Sequence, residues 1–230
     1  MKKWDNLPTF MKKPEVKEYY DILQKHRLEL VIKRIFDLVT ASGMLIVFSP
    51  LMIMIAILIR IDSPGSVLYR QERITTYGRK FKIHKFRTME SSAEKNGPTL
   101  TLSGDNRVTK IGRILRKYRL DEFPQLIDII LGNMSFVGVR PEVAKYVRKY
   151  SPEMRATLLL PAGLTSKASI QYKDEENLLK SGNDIDKIYI DYILPEKMRI
   201  NLEQMRTFSL FGEATTMIKT IFAVLGKERG

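Results

Sequence analysis

"LVTASGMLIVFSPLMIMIAILI", residues 38–59, contains no charge over 22 residues and is bounded by Asp37 and Arg60. A straight membrane-spanning helix needs about 20 such residues, and uncharged runs of this length are rare in soluble domains. The stretch is therefore expected to enter a membrane rather than to form a buried core helix. Ser49 and Pro50 sit near its middle. A proline inside a helix removes one backbone donor and clashes with the carbonyl four residues earlier, here Ile46, at a cost of about 3 kcal/mol in water. In lipid the freed carbonyl needs another partner. The Ser49 hydroxyl is expected to bond back to the Leu45 carbonyl and sharpen a bend. Each arm is then about 11 residues, or roughly 16 Å of helix, about half the hydrocarbon thickness.

Basic residues flank the run on both sides: Lys33 and Arg34 before it, Arg60, Arg70 and Arg73 after it. The positive-inside tendency places both ends in the cytoplasm, which a re-entrant helix–break–helix over residues 32–62 satisfies. A kinked helix that crosses the membrane is the alternative. The residues alone leave both open.

The whole chain, 230 residues long, suits one ordinary domain plus an appendage. Its 39 Lys and Arg against 26 Asp and Glu, net +13, point to an anionic partner: nucleic acid, an anionic membrane surface or a phosphorylated substrate. No cysteine is present, so there is no disulfide framework, thiolate metal site or Cys nucleophile. The two histidines, His26 and His84, are isolated, which argues against a His-based zinc site. The first 30 residues lack an apolar core of the secretory type, and no cleaved signal peptide is expected. No GxxxxGK[ST], no GxGxxG and no nucleic-acid motif occurs, so nucleic acid is not an expected partner.

Residues 1–31 read as an amphipathic extension, helical from about Val16, and residues 63–230 as a single catalytic or binding domain. Between Ser66 and Leu120 there are 14 Lys or Arg and four acids, the most cationic part of the chain. Within it, "VLYRQERI" and "KFKIHKF" alternate apolar and polar residues around "TTYG", which predicts a β-hairpin. Residues 91–106 read as an exposed loop, and "DNRVTKIGRILRKY" as a short basic helix with Ile111, Ile114, Leu115 and Tyr118 on one face. "LDEFPQLIDIILG" predicts a helix with Asp121 at its N-cap and Gly132 closing it. A helix from Val143 to Tyr150, a loop at "LPAGLTS" and a long segment from Pro195 to Gly226 follow. The last third of that segment puts Met217, Ile218, Ile221, Phe222 and Leu225 on one face, which suits either core packing or a helix lying in the membrane plane. The fold class expected is α+β: mostly helical, with a small β-hairpin, a re-entrant membrane helix and amphipathic interfacial helices.

The chemistry-bearing residues lie where the basic helix ends. Asp121 and Glu122 are adjacent carboxylates, and acids at a helix N-terminus are commonly structural. Surrounded by guanidinium groups and beside a divalent cation, however, a carboxylate can attack or coordinate a diphosphate. Lys85, Arg87 and Arg116 are candidate phosphate-facing cations. Arg140 is a fourth, with Pro141 beside it to fix the backbone that aims the guanidinium.

The ordered motifs "KRIFDL", "SP" within an apolar run, "QER", "KFRTM", "LDEFPQL", "GNMSFVGVRPE" and "LPAGLTS" resemble the bacterial sugar transferase family, the monotopic phosphoglycosyl transferases. The resemblance covers residues 32 to about 225. It implies a membrane enzyme on the cytoplasmic face of the bacterial inner membrane, with residues 63–230 as a cytosolic catalytic domain with interfacial helices. That enzyme moves a sugar phosphate from a UDP-sugar to polyprenol (undecaprenyl) phosphate, releases UMP and begins glycan assembly. It further implies that Asp121 is the nucleophile that forms a covalent phospho-sugar intermediate, that Glu122 assists with Mg²⁺ or proton transfer, and that the two carboxylates bind the metal. Ser49 and Pro50 correspond to the family's re-entrant break, and Lys85, Arg116 and Arg140 to positive positions of its active site. Two departures stand out: Val139 where the family usually has proline, and "TSKASIQYKDEENLL" in place of a glycine-rich stretch, which marks Thr165 to Tyr172 as a place where recognition differs.

A reading from another class is a non-enzymatic, membrane-anchored basic adaptor that binds anionic lipid or nucleic acid through residues 66–120. It accounts for the charge and the anchor but not for the carboxylate pair or "VRPE". The sequence leaves the sugar and the oligomeric state open, a homodimer included.

Overall fold

The computed structural model describes residues 1–90, 106–173 and 185–226. The loop expected at 91–106 falls, but for its last residue, outside the described residues, as does the second half of the departing stretch after Lys173. The architecture is mostly helical, with two small two-stranded sheets. Helices α1 (Pro14–Lys25) and α2 (Arg27–Asp62) lead into the hairpin β1 (Leu68–Ile74) and β2 (Lys80–Phe86). Next come α3 (Lys110–Lys117), α4 (Gln125–Ile130), β3 (Met134–Val137), α5 (Ala144–Val147) and β4 (Ala162–Thr165). Helices α6 (Lys167–Gln171), α7 (Ile185–Ile188), α8 (Leu194–Arg206) and α9 (Leu210–Leu225) complete the order.

The expected hairpin forms, with Leu68 opposite Phe86 and Ile74 opposite Lys80. Tyr77 and Gly78 supply its turn with positive φ. "LPAGLTS", expected as a loop, instead carries β4, paired in parallel with β3. All four β3 residues are buried, and a Cβ on Gly163 would lie 2.1 Å from the Gly138 carbonyl oxygen. These glycines permit a backbone approach that the short strands require. The expected single long helix from Pro195 divides into α8 and α9, because the Ser209 side chain accepts from the Gly212 N–H and starts a new helix. The helix expected over Val143–Tyr150 is limited to α5. On α3 the expected apolar face is only partly covered: Leu115 is buried, but Ile114 and Tyr118 are exposed.

Helix α1 breaks from α2 at His26, and its apolar face turns inward. Val16, Tyr19 and Leu23 join Met11, Tyr146, Leu159, Tyr189 and Met198 in the largest core cluster. Leu7, Met11, Val16, Tyr19, Tyr20 and Leu23 are thus part of the domain's core.

Helix α2 continues through Pro50 for 36 residues. The Ser49 hydroxyl donates to the Ile46 carbonyl at 2.8 Å, not to Leu45 as expected. Ile46 is the residue whose carbonyl loses its N–H partner to Pro50, so the serine repairs the deficit at its source. Among the described residues, one helix is long and apolar enough to cross a membrane, and it is α2; only 11% of its most apolar 18-residue window is buried. That excludes a core helix, most of whose surface would be covered.

One stripe of α2 nevertheless faces the domain from end to end. Ala41 packs with Leu126, Ile129 and Met134. Phe48 meets the Phe123 ring edge-on at 5.4 Å. Ile55 and Ile59 pack with Phe86 and Leu115. Polar residues at the start of the helix fix it further. Asp37 accepts from the Ser135 hydroxyl at 2.7 Å and the Phe136 N–H at 3.3 Å. Arg34 donates to the Ile129 and Ile130 carbonyls, capping α4 at its C-terminus. Lys33 is buried, donating to the Val137 carbonyl and paired with Glu213 of α9. At the far end Asp62 accepts from the Ile111 N–H at 3.1 Å. The flanking cations therefore do not all stand in headgroups: Lys33, Arg34 and Arg73 are engaged inside the protein.

Substituting Asp37 with Ala leaves two buried donors without an acceptor, each costing about 1–3 kcal/mol. The thermal midpoint of the detergent-solubilised chain should fall by at least roughly 4 °C, at about 2–4 °C per kcal/mol for a chain of this size, and less in Asp37→Asn, which keeps an acceptor. An unchanged midpoint in Asp37→Ala would show that this junction holds nothing.

Candidate active site

The carboxylate pair lies in a 3-10 turn, Leu120–Glu122, immediately before α4. The N-cap of α4 is Pro124, not Asp121. Pro124 has no N–H to offer a preceding turn, so the α-helix begins after it. Asp121 is thereby relieved of capping. Gly132, with φ +75°, closes the turn after α4 as expected.

Each neighbour arrives for a local reason. Lys85 shares a strand face with Phe81 and Ile83, which pack against Leu126 and Ile129. Its ammonium therefore points at the turn and donates to Glu122 Oε1 at 2.8 Å. Asp128, wholly buried on α4, accepts from the His84 N–H at 2.8 Å and pairs with the His84 ring at 3.0 Å. This pins β2 to α4 one residue from Lys85. Arg140 follows β3 by three residues and donates to the same Glu122 oxygen at 2.6 Å. Behind it, the Pro141 carbonyl accepts from Arg73 at 3.2 Å, so Pro141 braces the guanidinium's backbone. Arg116 donates from Nε to the Thr88 hydroxyl at 2.8 Å and lies near enough to Asp121 to favour its ionised form.

The structure thus brings Lys85, Arg116, Asp121, Glu122 and Arg140 together. Arg87 lies apart from them. Its guanidinium donates to the Ser63 and Pro64 carbonyls and holds the end of α2, in place of the phosphate-facing position expected for it. The Arg87 N–H donates to the Val67 carbonyl at 2.9 Å, so the hairpin ladder continues one residue past β2 to where Ser63 and Pro64 lie within its reach.

The two carboxylates differ sharply. Burial alone would raise the Glu122 carboxyl, but Arg140 and Lys85 together hold it well below the usual range. Burial also disfavours the Lys85 ammonium and lowers its pKa despite Glu122. The carboxylate wins the comparison because it has two cations and the ammonium one principal anion. Glu122 in turn raises Arg140. Asp121 is raised, by burial first, with Lys85 opposing and the Glu122 charge adding to the rise. Its Oδ1 is buried with no hydrogen-bond partner. An ionised glutamate with two cations on one oxygen therefore lies beside an aspartate with an unpartnered oxygen and elevated basicity.

A family model described as bacterial sugar transferase matches residues 28–227. The chain belongs to this family. It is 32% identical over 198 residues to a UDP-glucose:undecaprenyl-phosphate glucose-1-phosphate transferase of Caulobacter vibrioides, covering 84% of this chain and 69% of the relative. It is 34% identical over 207 residues to the exopolysaccharide production protein ExoY of Rhizobium meliloti, covering 84% of each. To a UDP-N-acetylgalactosamine-undecaprenyl-phosphate N-acetylgalactosaminephosphotransferase of Aeromonas hydrophila it is 41% identical over 123 residues, which is 54% of this chain and 29% of that longer protein.

In this member of the family the supporting residues Arg73, His84 and Asp128 escaped the reading from sequence. A signal existed for one of them: Asp128 stands alone among "LI" and "II" on a helix whose apolar faces pack, where an acid needs a buried partner. Val139, in the position where proline was expected, offers its carbonyl to the Gly163 N–H at 2.8 Å.

The raised Asp121 has a consequence for stability. An acid whose folded pKa is raised favours the folded state below its unfolded value, about 3.9 for Asp, and that contribution is lost as pH rises through the folded value. Asp121→Asn should therefore melt above the wild type at pH 8, with the gap closing toward pH 4. A variant that melts lower at pH 8 would show that the carboxylate has a structural partner.

Proposed function

We propose that the chain is a phosphoglycosyl transferase that moves a sugar phosphate from a UDP-sugar to polyprenol phosphate by way of Asp121. The reaction class follows the family and the printed activities of the Caulobacter and Aeromonas relatives, both of which act on undecaprenyl phosphate. The observation that carries the residue assignment is the unpartnered, buried Asp121 oxygen beside a Glu122 already engaged by two cations. A carboxylate held by Lys85 and Arg140 is a poor nucleophile, whereas Asp121 is free to attack.

In the first half-reaction an Asp121 oxygen bonds to the sugar-bearing phosphorus, and the bond from that phosphorus to the bridging oxygen breaks, with its electron pair leaving on UMP. In the second, a phosphate oxygen of the lipid bonds to the same phosphorus and Asp121 departs. Splitting the transfer lets one site serve a soluble and a lipid substrate in turn. Lys85, Arg116 and Arg140 supply the positive field that lets an anionic donor approach two carboxylates.

Among the described residues no cluster of three His, Asp or Glu side chains exists to cage a metal. The carboxylate pair nonetheless fits Mg²⁺, which commonly takes one or two carboxylates and completes its shell with substrate phosphates and water. Asp121 and Glu122 would hold it, and it would neutralise the diphosphate.

For the membrane helix we infer re-entry from the cytoplasmic face. Polar contacts tie Lys33 and Asp37 to β3 at one end and Asp62 to α3 at the other, all within one domain. A helix that crossed the membrane would place one of these attachments beyond about 30 Å of hydrocarbon. Although α2 runs unbroken through Pro50, Phe48 beside Ser49 and Pro50 touches Phe123 beside Glu122, which supports a bend there close to the carboxylate turn. The adaptor reading leaves this constellation without a purpose.

Incubated with a panel of UDP-sugars and polyprenol phosphate, the chain should release UMP with one of them, and Asp121→Asn should release none. Full activity in that variant would remove Asp121 from the mechanism. The pH profile of kcat/KM should be narrow. Its acid limb should lie above the ordinary Asp value of about 3.9 because Asp121 must be ionised, and its alkaline limb below the ordinary Lys value of about 10.4 because Lys85 must be charged. An acid limb at the ordinary value would contradict the assignment. Reporter tags at both termini should register the cytoplasm; tags on opposite faces would make Pro50 a kink in a spanning helix.

A further inference from the structure

Asp121 is not alone in its turn in lacking a partner. Gln125, at the start of α4, is 2% exposed, and its amide Nε2 is buried without a hydrogen bond. Phe123 and Pro124 between them are both in the right-handed helical region, so the chain winds about one turn from one side chain to the other. Buried donors and acceptors are nearly always paired. Here a donor and an acceptor four residues apart are both orphaned and do not bond each other. An apolar residue of similar length would fill the same space without stranding an N–H, so packing does not explain the amide.

Two neighbouring orphans of opposite kind suit a third group that has an electrophilic centre and acceptor oxygens. A phosphoryl group has both. Lys85 and Arg140 are bonded to Glu122, whereas the Gln125 amide has its donor uncommitted.

Building on the reaction assigned above, we propose that Gln125 is a further substrate-contacting residue, whose amide N–H donates to a non-bridging oxygen of the phosphoryl group transferred to and from Asp121. It gives up no proton. It holds the phosphorus in place while one bond to oxygen forms and the other breaks, and it stabilises the charge that gathers on the equatorial oxygens.

The test is rapid-quench measurement of UMP release in the absence of lipid acceptor, on the full chain in detergent, with the UDP-sugar that the wild type uses. Gln125→Met keeps the length and removes the donor. Its single-turnover rate should fall about 10²- to 10³-fold, as for loss of one preorganised donor, with a much smaller change in KM. Its thermal midpoint should equal or exceed that of the wild type, a result that a merely structural glutamine would not give. A wild-type rate in Gln125→Met overturns the proposal. So does a lowered thermal midpoint, because it means that the amide has a partner in the folded chain. If instead the wild type releases no UMP from any UDP-sugar while Asp121→Asn still melts higher, the reaction assignment fails, and this proposal with it.

Discussion

Glu122 holds the site together by accepting two cations on one oxygen. Lys85 comes from the hairpin and Arg140 from the junction after β3, so a single buried carboxylate draws two separate parts of the chain onto one short turn. Removing one member of such a buried set costs about 3–5 kcal/mol because an uncompensated charge remains. The same arrangement frees Asp121. With Glu122 taking both cations and Pro124 displacing the start of α4, the aspartate has neither an ion pair of its own among the described residues nor a capping duty. The reactivity proposed for it would be a by-product of what its neighbour neutralises.

The membrane helix depends on the same turn from the other side. Arg34 caps α4 at the end opposite the carboxylates, and Phe48 packs on Phe123. A shift of α2 along its axis would therefore move α4 and with it Asp121. Under the proposed function, the depth at which the helix sits would set the height of the carboxylate, as a reaction between a soluble donor and a lipid phosphate requires.

Much of this was legible in the sequence where a local rule acts alone. The uncharged run, the alternating hairpin and the glycine closing α4 each follow from period or backbone chemistry, and the structure bears them out. What stayed hidden was set by partners distant in sequence. The β3–β4 pairing takes in "LPAGLTS", which reads as a loop, because its signal is the close approach of Gly138 and Gly163. Arg87 looks like Lys85 in sequence, and only the carbonyls at the end of α2 distinguish them. The adjacent carboxylates were equivalent on spacing and became different through Lys85 and Arg140. Ser49 was read as a bending residue, and its bond to Ile46 makes it the one that replaces the donor Pro50 lacks.

The central claim is that Asp121 carries the phospho-sugar between two half-reactions. Intact-protein and peptide mass spectrometry after incubation with the donor, in the absence of lipid acceptor, tests it most directly. The account predicts an added sugar phosphate on the peptide containing Asp121, formed together with UMP and discharged when polyprenol phosphate is added. Turnover by a chain that never acquires this mass, with UMP released only when both substrates are present, would contradict it.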